Sequence, residues 1–166
     1  MTDQVNLEAL IGVVTTTSTV VVERGPVAFF ASSVFDESEV YTSEAAAKAE
    51  GFDAIPAPPT FPFVMENWGR FSDLQESDEP QNPGIMVALA PLLAQGGLIL
   101  HGEQSFSYHR AVQVGDVLKG HGTIVDAYQK ESKGKTMTFV VTETLWSDAE
   151  TGDPVVSARF NVIHRS

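Results

Sequence analysis

The second half of the chain alternates apolar and polar residues with a period of two, a pattern typical of half-buried strands. Four such stretches occupy residues 98–109, 117–128, 136–146 and 155–164. Turn residues separate them: Gly115-Asp116, the polar run 130–134, and the run 148–153 with Gly152. This spacing predicts an antiparallel meander of four long strands.

Alternation also predicts which side chains of the first of these strands share a face. One face would hold Leu98, Leu100, Gly102, Gln104, Phe106 and Tyr108. His101, Glu103 and His109 would lie on the other face. Two histidines eight residues apart on one strand are separated by roughly 26 Å, too far to bind one ion. His101 with Glu103, or with His121 of a neighbouring strand, remains an alternative, but we expect no metal site.

The first half of the chain contains one β-rich stretch, 13–22, followed by helical segments. A helix is predicted over 23–34, with Pro26 in its first turn. Ser43 is a suitable N-cap for the alanine-rich helix that follows, and Gly51 suits its C-terminal end.

A further helix is predicted after Pro58-Pro59-Thr60, running to Phe71. The Thr60 hydroxyl can cap this helix, and Pro62 fits its first turn. Apolar residues dominate every face, and a helix of that kind is usually buried. The order of elements indicates an α+β fold in which one buried helix packs against a curved antiparallel sheet.

Composition restricts the classes of function. The chain has 166 residues, of which 43% are hydrophobic, so one globular domain over 1–166 is expected. It has no cysteine, no signal-peptide pattern and no apolar run long enough to span a membrane, which favours a cytoplasmic location. A net charge of −12 disfavours binding to nucleic acid. Phosphate-binding glycine motifs and the G-x-S-x-G nucleophile motif are also missing from the sequence.

Two local patterns carry a resemblance to a known family. The first runs from Asp36 to Tyr41, then through the alanine-rich stretch and Gly51-Phe52 to Ala57-Pro58-Pro59-Thr60-Phe61. The second runs from Leu100 to Arg110 and on to Val114-Gly115-Asp116. In this order they resemble the MaoC-like (R)-specific enoyl hydratases and 3-hydroxyacyl dehydratases. Within that family, the patterns are similar to the branch named for the N-terminal dehydratase domain like that of fungal fatty acid synthase. This branch includes mycobacterial 3-hydroxyacyl dehydratase subunits. The resemblance implies a single hotdog domain, a sheet wrapped around a long central helix.

The resemblance assigns Asp36 and Tyr41 as candidate catalytic residues. Active members of the family carry a histidine five positions after the aspartate, where this chain has Tyr41. Hydration of an unsaturated thioester needs a base that works near neutral pH, and a phenol with a pKa near 10 is a poor one. Tyr41 can instead contact the substrate, or simply pack. Asp36 can be a retained catalytic carboxylate or an N-cap of the next helical turn.

The resemblance also implies substrate-binding residues. They are Pro58, Pro59, Thr60, Phe61, Trp68, His109 and Arg110. Backbone N–H groups at the helix start near Thr60 would contact the thioester carbonyl, since helix starts have unpaired donors. Phe61 and Trp68 are alternatively core residues. The His109-Arg110 pair would contact an anionic part of coenzyme A or, alternatively, a protein interface.

The function that the resemblance implies is that of a subunit of an (R)-specific 2-enoyl-CoA hydratase or 3-hydroxyacyl-thioester dehydratase, without a cofactor. This chain would shape the acyl pocket, and a MaoC-like hotdog partner chain would supply the aspartate and histidine. A homodimer is the alternative assembly. Acyl-CoA is preferred over acyl carrier protein, because the carrier is acidic like this chain. A non-catalytic acyl-thioester-binding or scaffold hotdog and a hotdog thioesterase are the alternative functions.

Overall fold

Five strands form one antiparallel sheet. The computed structural model describes residues 5–68, 73–75, 84–132 and 134–165. The strands are β1 (Val14–Val21), β2 (Leu98–Tyr108), β3 (Val117–Ser132), β4 (Lys135–Asp148) and β5 (Pro154–Arg165). Each stretch predicted to be a strand is therefore a strand.

The order of the strands across the sheet is β1-β3-β4-β5-β2. The predicted meander is confirmed for β3, β4 and β5 and is wrong for β2, which pairs with β5 instead of β3. The residues after β2 do not make the tight turn that a meander needs, because they bond to the segment 55–57. Ala57 N–H donates to the Val112 carbonyl, and Val114 N–H donates to the Ile55 carbonyl, both at 2.8 Å.

A β-bulge changes the side-chain pattern of β2. Its pairing with β5 shifts register between His101 and Gln104, so alternation does not continue across this point. Ile99 packs against buried side chains, whereas Leu98 and Leu100 are 58% and 40% exposed. The prediction that Leu98 and Leu100 share a face with Phe106, which packs against the core, is therefore wrong.

The β3–β4 hairpin is longer than predicted. Paired residues extend to Ser132 and Lys135, so most of the predicted polar turn is strand. The rings of Tyr128 and Phe139 stack at 4.8 Å, and the Lys130 amine lies 5.2 Å and 5.3 Å from their centroids. Cross-strand contacts of this kind stabilise a hairpin beyond its apolar part.

The helices are α1 (Arg24–Ser33), α2 (Glu44–Ala49), α3 (Pro62–Trp68) and α4 (Ile85–Leu93), with 3-10 turns at Glu8–Leu10 and Glu39–Tyr41. The Ser43 cap is confirmed, since its hydroxyl accepts from the Ala46 N–H at 3.3 Å. Gly51 follows α2 with a φ of 88°, which favours glycine. No helix in the described ranges has the length and hydropathy to cross a membrane.

The predicted central helix corresponds to α3, which packs against β1 and β5. Seven of its residues are described, and the predicted continuation to Phe71 lies outside the described residues. Phe61 and Met65 are fully buried, but Phe63 is 38% exposed. The following helix, α4, was not predicted; it buries Leu89 and Leu92 against β3, β4 and β5.

Candidate functional site

An apolar pocket of about 300 Å³ lies between the segment around Tyr41, the segment before α3 and the end of β2. Its lining residues are mostly apolar: Val40, Tyr41, Phe52, Pro56, Ala57, Pro59, Tyr108, Ala111 and Val112. We call it the Tyr41 pocket. It brings the candidate catalytic Tyr41 together with Pro59, one of the predicted substrate-binding residues.

Backbone hydrogen bonds hold the two walls of the Tyr41 pocket. On one side, Tyr41 ends a 3-10 turn whose Glu39 carbonyl accepts from the Thr42 and Ser43 N–H groups at 3.1 Å and 2.9 Å. On the other side, the isolated bridge between Pro56 and Gln113 joins the segment before α3 to the segment after β2. The pocket is therefore built from three chain segments far apart in sequence.

Tyr108 is a pocket residue that the sequence interpretation did not include in the site. Its hydroxyl donates to the Pro59 carbonyl oxygen at 2.7 Å. Burial, with the charge of Tyr41 as a second cause, raises the pKa of Tyr108 to about 12. The phenol is consequently a neutral hydrogen-bond donor at physiological pH. Two features of the sequence could have indicated Tyr108 as a site residue. It precedes the candidate His109, and it lies on the same predicted strand face as Phe106.

Tyr41 is also held in its neutral form. Burial and, second, the neighbouring Asp36 carboxylate raise the pKa of the Tyr41 phenol above its usual value of 10.0. A base must lose its proton near neutral pH, and this environment opposes that loss. Tyr41 can therefore donate a hydrogen bond to a ligand, but it cannot serve as the base.

Asp36 is exposed, and one of its oxygens accepts from the Ser38 N–H at 3.1 Å. This bond forms the turn that leads into the 3-10 turn ending at Tyr41. The N-cap of that 3-10 turn is Ser38, so Asp36 forms the turn before it and does not cap it. Its catalytic role stays a prediction.

The start of α3 has fewer free donors than an ordinary helix start. Phe61 N–H donates to the Pro58 carbonyl at 2.9 Å, and Phe63 N–H donates to the Thr60 carbonyl at 3.2 Å. Val64 N–H donates to the Phe61 carbonyl at 2.8 Å. In the part of the chain that is described, the N–H of Thr60 has no partner. The predicted contact with a thioester carbonyl therefore depends on Thr60 alone.

Pro58, Phe61 and Trp68 lie deeper than Pro59 and Thr60. Phe61 is fully buried, with Phe30 at 5.6 Å and the half-buried Trp68 at 5.3 Å between ring centroids. These contacts fit the alternative that Phe61 and Trp68 are core residues. Their role in substrate binding stays a prediction.

His109 and Arg110 lie at the end of β2, where His109 is exposed. The Arg110 guanidinium donates to the carboxylates of Asp116 at 2.7 Å and Asp148 at 3.2 Å. The hydrogen bond that Arg110 donates to Asp116 is the largest cause of the raised pKa of Arg110. Arg110 therefore joins the residue before β3 to the last residue of β4, and an anionic ligand would compete with both aspartates for it.

His101, considered above for a metal site, lies between two aromatic rings. Its ring centroid is 5.9 Å from that of Phe63 and 4.5 Å from that of Phe160. Among the residues that the structure describes, no three His, Asp or Glu side chains are grouped closely enough to hold a metal ion.

A family model now decides the relationship of this chain. The model of the FAS1-like dehydratase domain region matches residues 9–158. The chain belongs to this family. The resemblance inferred from the Asp36 and Leu100 patterns is thereby confirmed.

Several curated relatives are UPF0336 proteins. A UPF0336 protein of Streptomyces avermitilis is 31% identical over 145 residues, which cover 87% of this chain and 85% of that protein. A UPF0336 protein of Leifsonia xyli is 31% identical over 144 residues, with 87% and 85% covered. The match to a UPF0336 protein of Thermobifida fusca, 31% identical, covers 63% of this chain and 60% of that protein.

Solved structures show the fold. The truncated HadBC complex of Mycobacterium tuberculosis, a 3R-hydroxyacyl-ACP dehydratase, matches with a TM-score of 0.68 at 22% identity, covering 93% of this chain and 96% of that chain. The ChsH1–ChsH2 complex of the same organism matches with a TM-score of 0.70 at 17% identity, covering 89% and 80%. The predicted α+β hotdog fold is confirmed.

Proposed function

We propose that this chain is the acyl-binding subunit of an (R)-specific 2-enoyl-CoA hydratase or 3-hydroxyacyl-thioester dehydratase. A partner MaoC-like hotdog chain supplies the aspartate and histidine that move the protons. The reaction is the reversible addition of water to an α,β-unsaturated acyl thioester in fatty-acyl metabolism. Membership in a dehydratase family supports this class of reaction.

The Tyr41 pocket is the observation that carries the proposal. It is an apolar pocket whose polar side chains are the two phenols, Tyr41 and Tyr108, both held neutral by their surroundings. Neutral donors beside an apolar surface bind a thioester and stabilise negative charge on its oxygen. They do not abstract a proton, and in this proposal the base comes from the partner chain.

The exposed edge of the sheet supports association with a partner. β2 is an outer strand of eleven residues, and its only hydrogen-bonded neighbour in the described sheet is β5. Leu98 and Leu100 on this strand are 58% and 40% exposed. Long apolar edge strands pair with other chains unless they are protected. The HadBC and ChsH1–ChsH2 matches are themselves complexes of two differently named chains.

The charge of the chain disfavours an acyl carrier protein, which leaves a coenzyme A thioester as the preferred substrate. Its net charge of −12 opposes docking of an acidic carrier protein through general electrostatics. A hotdog partner with a basic surface would reverse this preference. The hydration assay is therefore run with the coenzyme A thioester and with the acyl carrier protein thioester.

Hydration of crotonyl-CoA tests the proposal. This chain and a MaoC-like hotdog chain from the same organism that carries the aspartate and histidine are each assayed alone and then together, while the absorbance of the conjugated thioester is followed. Hydration that exceeds the rate of the partner alone supports the proposed role. Full activity of this chain alone would show that Tyr41 does not disable it, and release of free thiol would indicate a thioesterase.

Matched variants link the assay to the pocket. We expect Tyr108→Phe and Tyr41→Phe to raise the KM of the assembled pair with little change in its pH profile, because neither phenol is the base. Tyr128→Phe removes a hydroxyl outside the pocket and is the control. If Tyr41→Phe removed one limb of the pH profile of kcat/KM, the conclusion that Tyr41 is not the base would be contradicted.

A further inference from the structure

A second cavity, of about 130 Å³, lies between the sheet and α3. Hydroxyl-bearing and other polar residues form most of its lining: Thr15, Thr16, Thr17, Ser18, Phe63, Glu66, Asn67, Ile85, Thr142, Thr144 and Phe160. We call it the hydroxyl cavity. Among the described residues, it shares no lining residue with the Tyr41 pocket.

Two hydroxyls of this cavity are buried and lack a hydrogen-bond partner. Thr15 and Ser18 are 6% and 4% exposed, and the Oγ1 of Thr15 and the Oγ of Ser18 have no partner in the described structure. Buried polar atoms are nearly always hydrogen-bonded, since leaving one unpaired is costly. Two such atoms lining one cavity indicate a group that binds there.

The strands beside the hydroxyl cavity depart from regular pairing at Thr15. The register of β1 with β3 shifts at Thr15, so this residue is the extra one of a β-bulge. Beside it, a Cβ on Gly122 would lie 2.5 Å from the Thr144 hydroxyl and 2.9 Å from the Thr16 Cβ. Glycine at position 122 therefore lets Thr16 and Thr144, which both line the hydroxyl cavity, pack closely against the backbone of β3.

We propose that the hydroxyl cavity is a binding subsite for a neutral oxygen-bearing group, a hydroxyl or a carbonyl, in the distal part of the acyl chain. This inference rests on the proposed function of the Tyr41 pocket. Pro59 lines the Tyr41 pocket and Phe63 lines the hydroxyl cavity. Cα atoms four residues apart are separated by at most about 14 Å, a distance within the length of the longer acyl chains.

The residues that line the hydroxyl cavity determine which chemical groups it can bind. Threonine and serine hydroxyls both donate and accept, so they match a hydroxyl or a carbonyl group. Among the described residues, the cavity lining has no lysine or arginine, and it includes the Glu66 carboxylate. A carboxylate or phosphate group is therefore excluded by charge, whereas a purely alkyl chain leaves both hydroxyls unpaired.

Calorimetric titration of the full-length chain tests the proposal. Saturated acyl-CoA thioesters from butyryl to dodecanoyl are compared, each with the counterpart that carries a hydroxyl on its last carbon. At the chain length that reaches the cavity, we expect the hydroxyl to increase affinity about tenfold, as one or two net hydrogen bonds provide.

Variants of the cavity give the second measurement. Thr15→Val preserves shape and Ser18→Ala removes only the hydroxyl, so each should remove most of the preference for the hydroxylated ligand while keeping affinity for the saturated one. Thr123→Val lies next to Gly122 on the opposite face of β3 and should change neither affinity. Circular dichroism verifies that each variant is folded, and either cavity variant suffices for the comparison.

The outcomes separate this inference from the proposed function. Equal affinity for both members of every pair overturns the subsite and leaves hydration of crotonyl-CoA unaffected. A preference that persists in both cavity variants also overturns it. If no thioester binds at any length, the subsite is wrong, and the hydration assay with the partner then decides the proposed function independently.

Discussion

The hydroxyl of Tyr108 donates a hydrogen bond to the carbonyl oxygen of Pro59, 2.7 Å away. This bond joins the end of β2 to the turn before α3, two segments 49 residues apart in the sequence. Both residues line the Tyr41 pocket. A ligand oxygen in the pocket can replace the Pro59 carbonyl as the acceptor, so the bond both stabilises the empty pocket and keeps a donor ready.

Replacing Tyr108 with phenylalanine tests this bond. The ring remains, but the hydrogen bond to Pro59 is lost. Because Tyr108 is 40% exposed, water partly replaces the lost partner, and we expect the free energy of unfolding to fall by about 0.5–1 kcal/mol. Urea denaturation measures the change. Tyr128→Phe, which keeps its stacking on Phe139, should cost less; an equal loss in both variants would show that the Pro59 bond contributes nothing.

The raised pKa of Tyr108 predicts a loss of stability at alkaline pH. Its pKa is about 12 in the folded chain against a usual value of 10.0, so the folded state holds this proton more tightly. The resulting stabilisation is complete below a pH of about 10 and is lost as the pH rises through about 12. Urea denaturation across this range should show a smaller alkaline decline for Tyr108→Phe than for the native chain. Parallel declines would contradict the assignment.

The ion pairs of Arg110 predict a stability effect at the ends of β3 and β4. Arg110→Met keeps the aliphatic length but leaves Asp116 and Asp148 without their shared partner; their side chains are 16% and 27% exposed. We expect the free energy of unfolding to fall by about 1–2 kcal/mol, between the values for exposed and buried pairs. Thermal and urea denaturation measure it.

Arg159→Met is the matched control for Arg110. Its nitrogen lies 3.5 Å from Glu143, and the two side chains are 50% and 43% exposed. Exposed pairs contribute between zero and about 1 kcal/mol, so this variant should be nearly neutral. If both variants lose the same stability, the aspartate pair of Arg110 has no special role.

The sequence predicted local structure well because short-range rules determine it. The period-two alternation located the strands, and the serine before the alanine-rich stretch located the start of α2, confirmed by the Ser43–Ala46 bond. The position of β2 beside β5 depends on long-range pairing of the segments 55–57 and 112–114. No local pattern encodes that pairing.

The candidate site was predicted in part for the same reason. The motif placed Tyr41 and Pro59 in one site, and they do line one pocket. The sequence did not show that α3 begins with a turn in which Phe61 and Val64 use their N–H groups internally. The unpaired hydroxyls of Thr15 and Ser18 were not predicted either. Their burial depends on how the strand with the β-bulge packs against other segments, which no local pattern shows.

The exposed residue Phe35 has a strained backbone conformation. This residue has a φ of 59°, a left-handed conformation unfavourable for a bulky side chain, and it is 92% exposed. Asparagine tolerates this conformation, so Phe35→Asn should raise the free energy of unfolding of the isolated chain by about 0.5–1 kcal/mol. Urea denaturation measures the gain. Phe29→Asn, at a 76% exposed position within α1, removes a similar ring without relieving strain and should show no gain. A loss of stability in Phe35→Asn would show that the ring stabilises the chain in spite of its exposure.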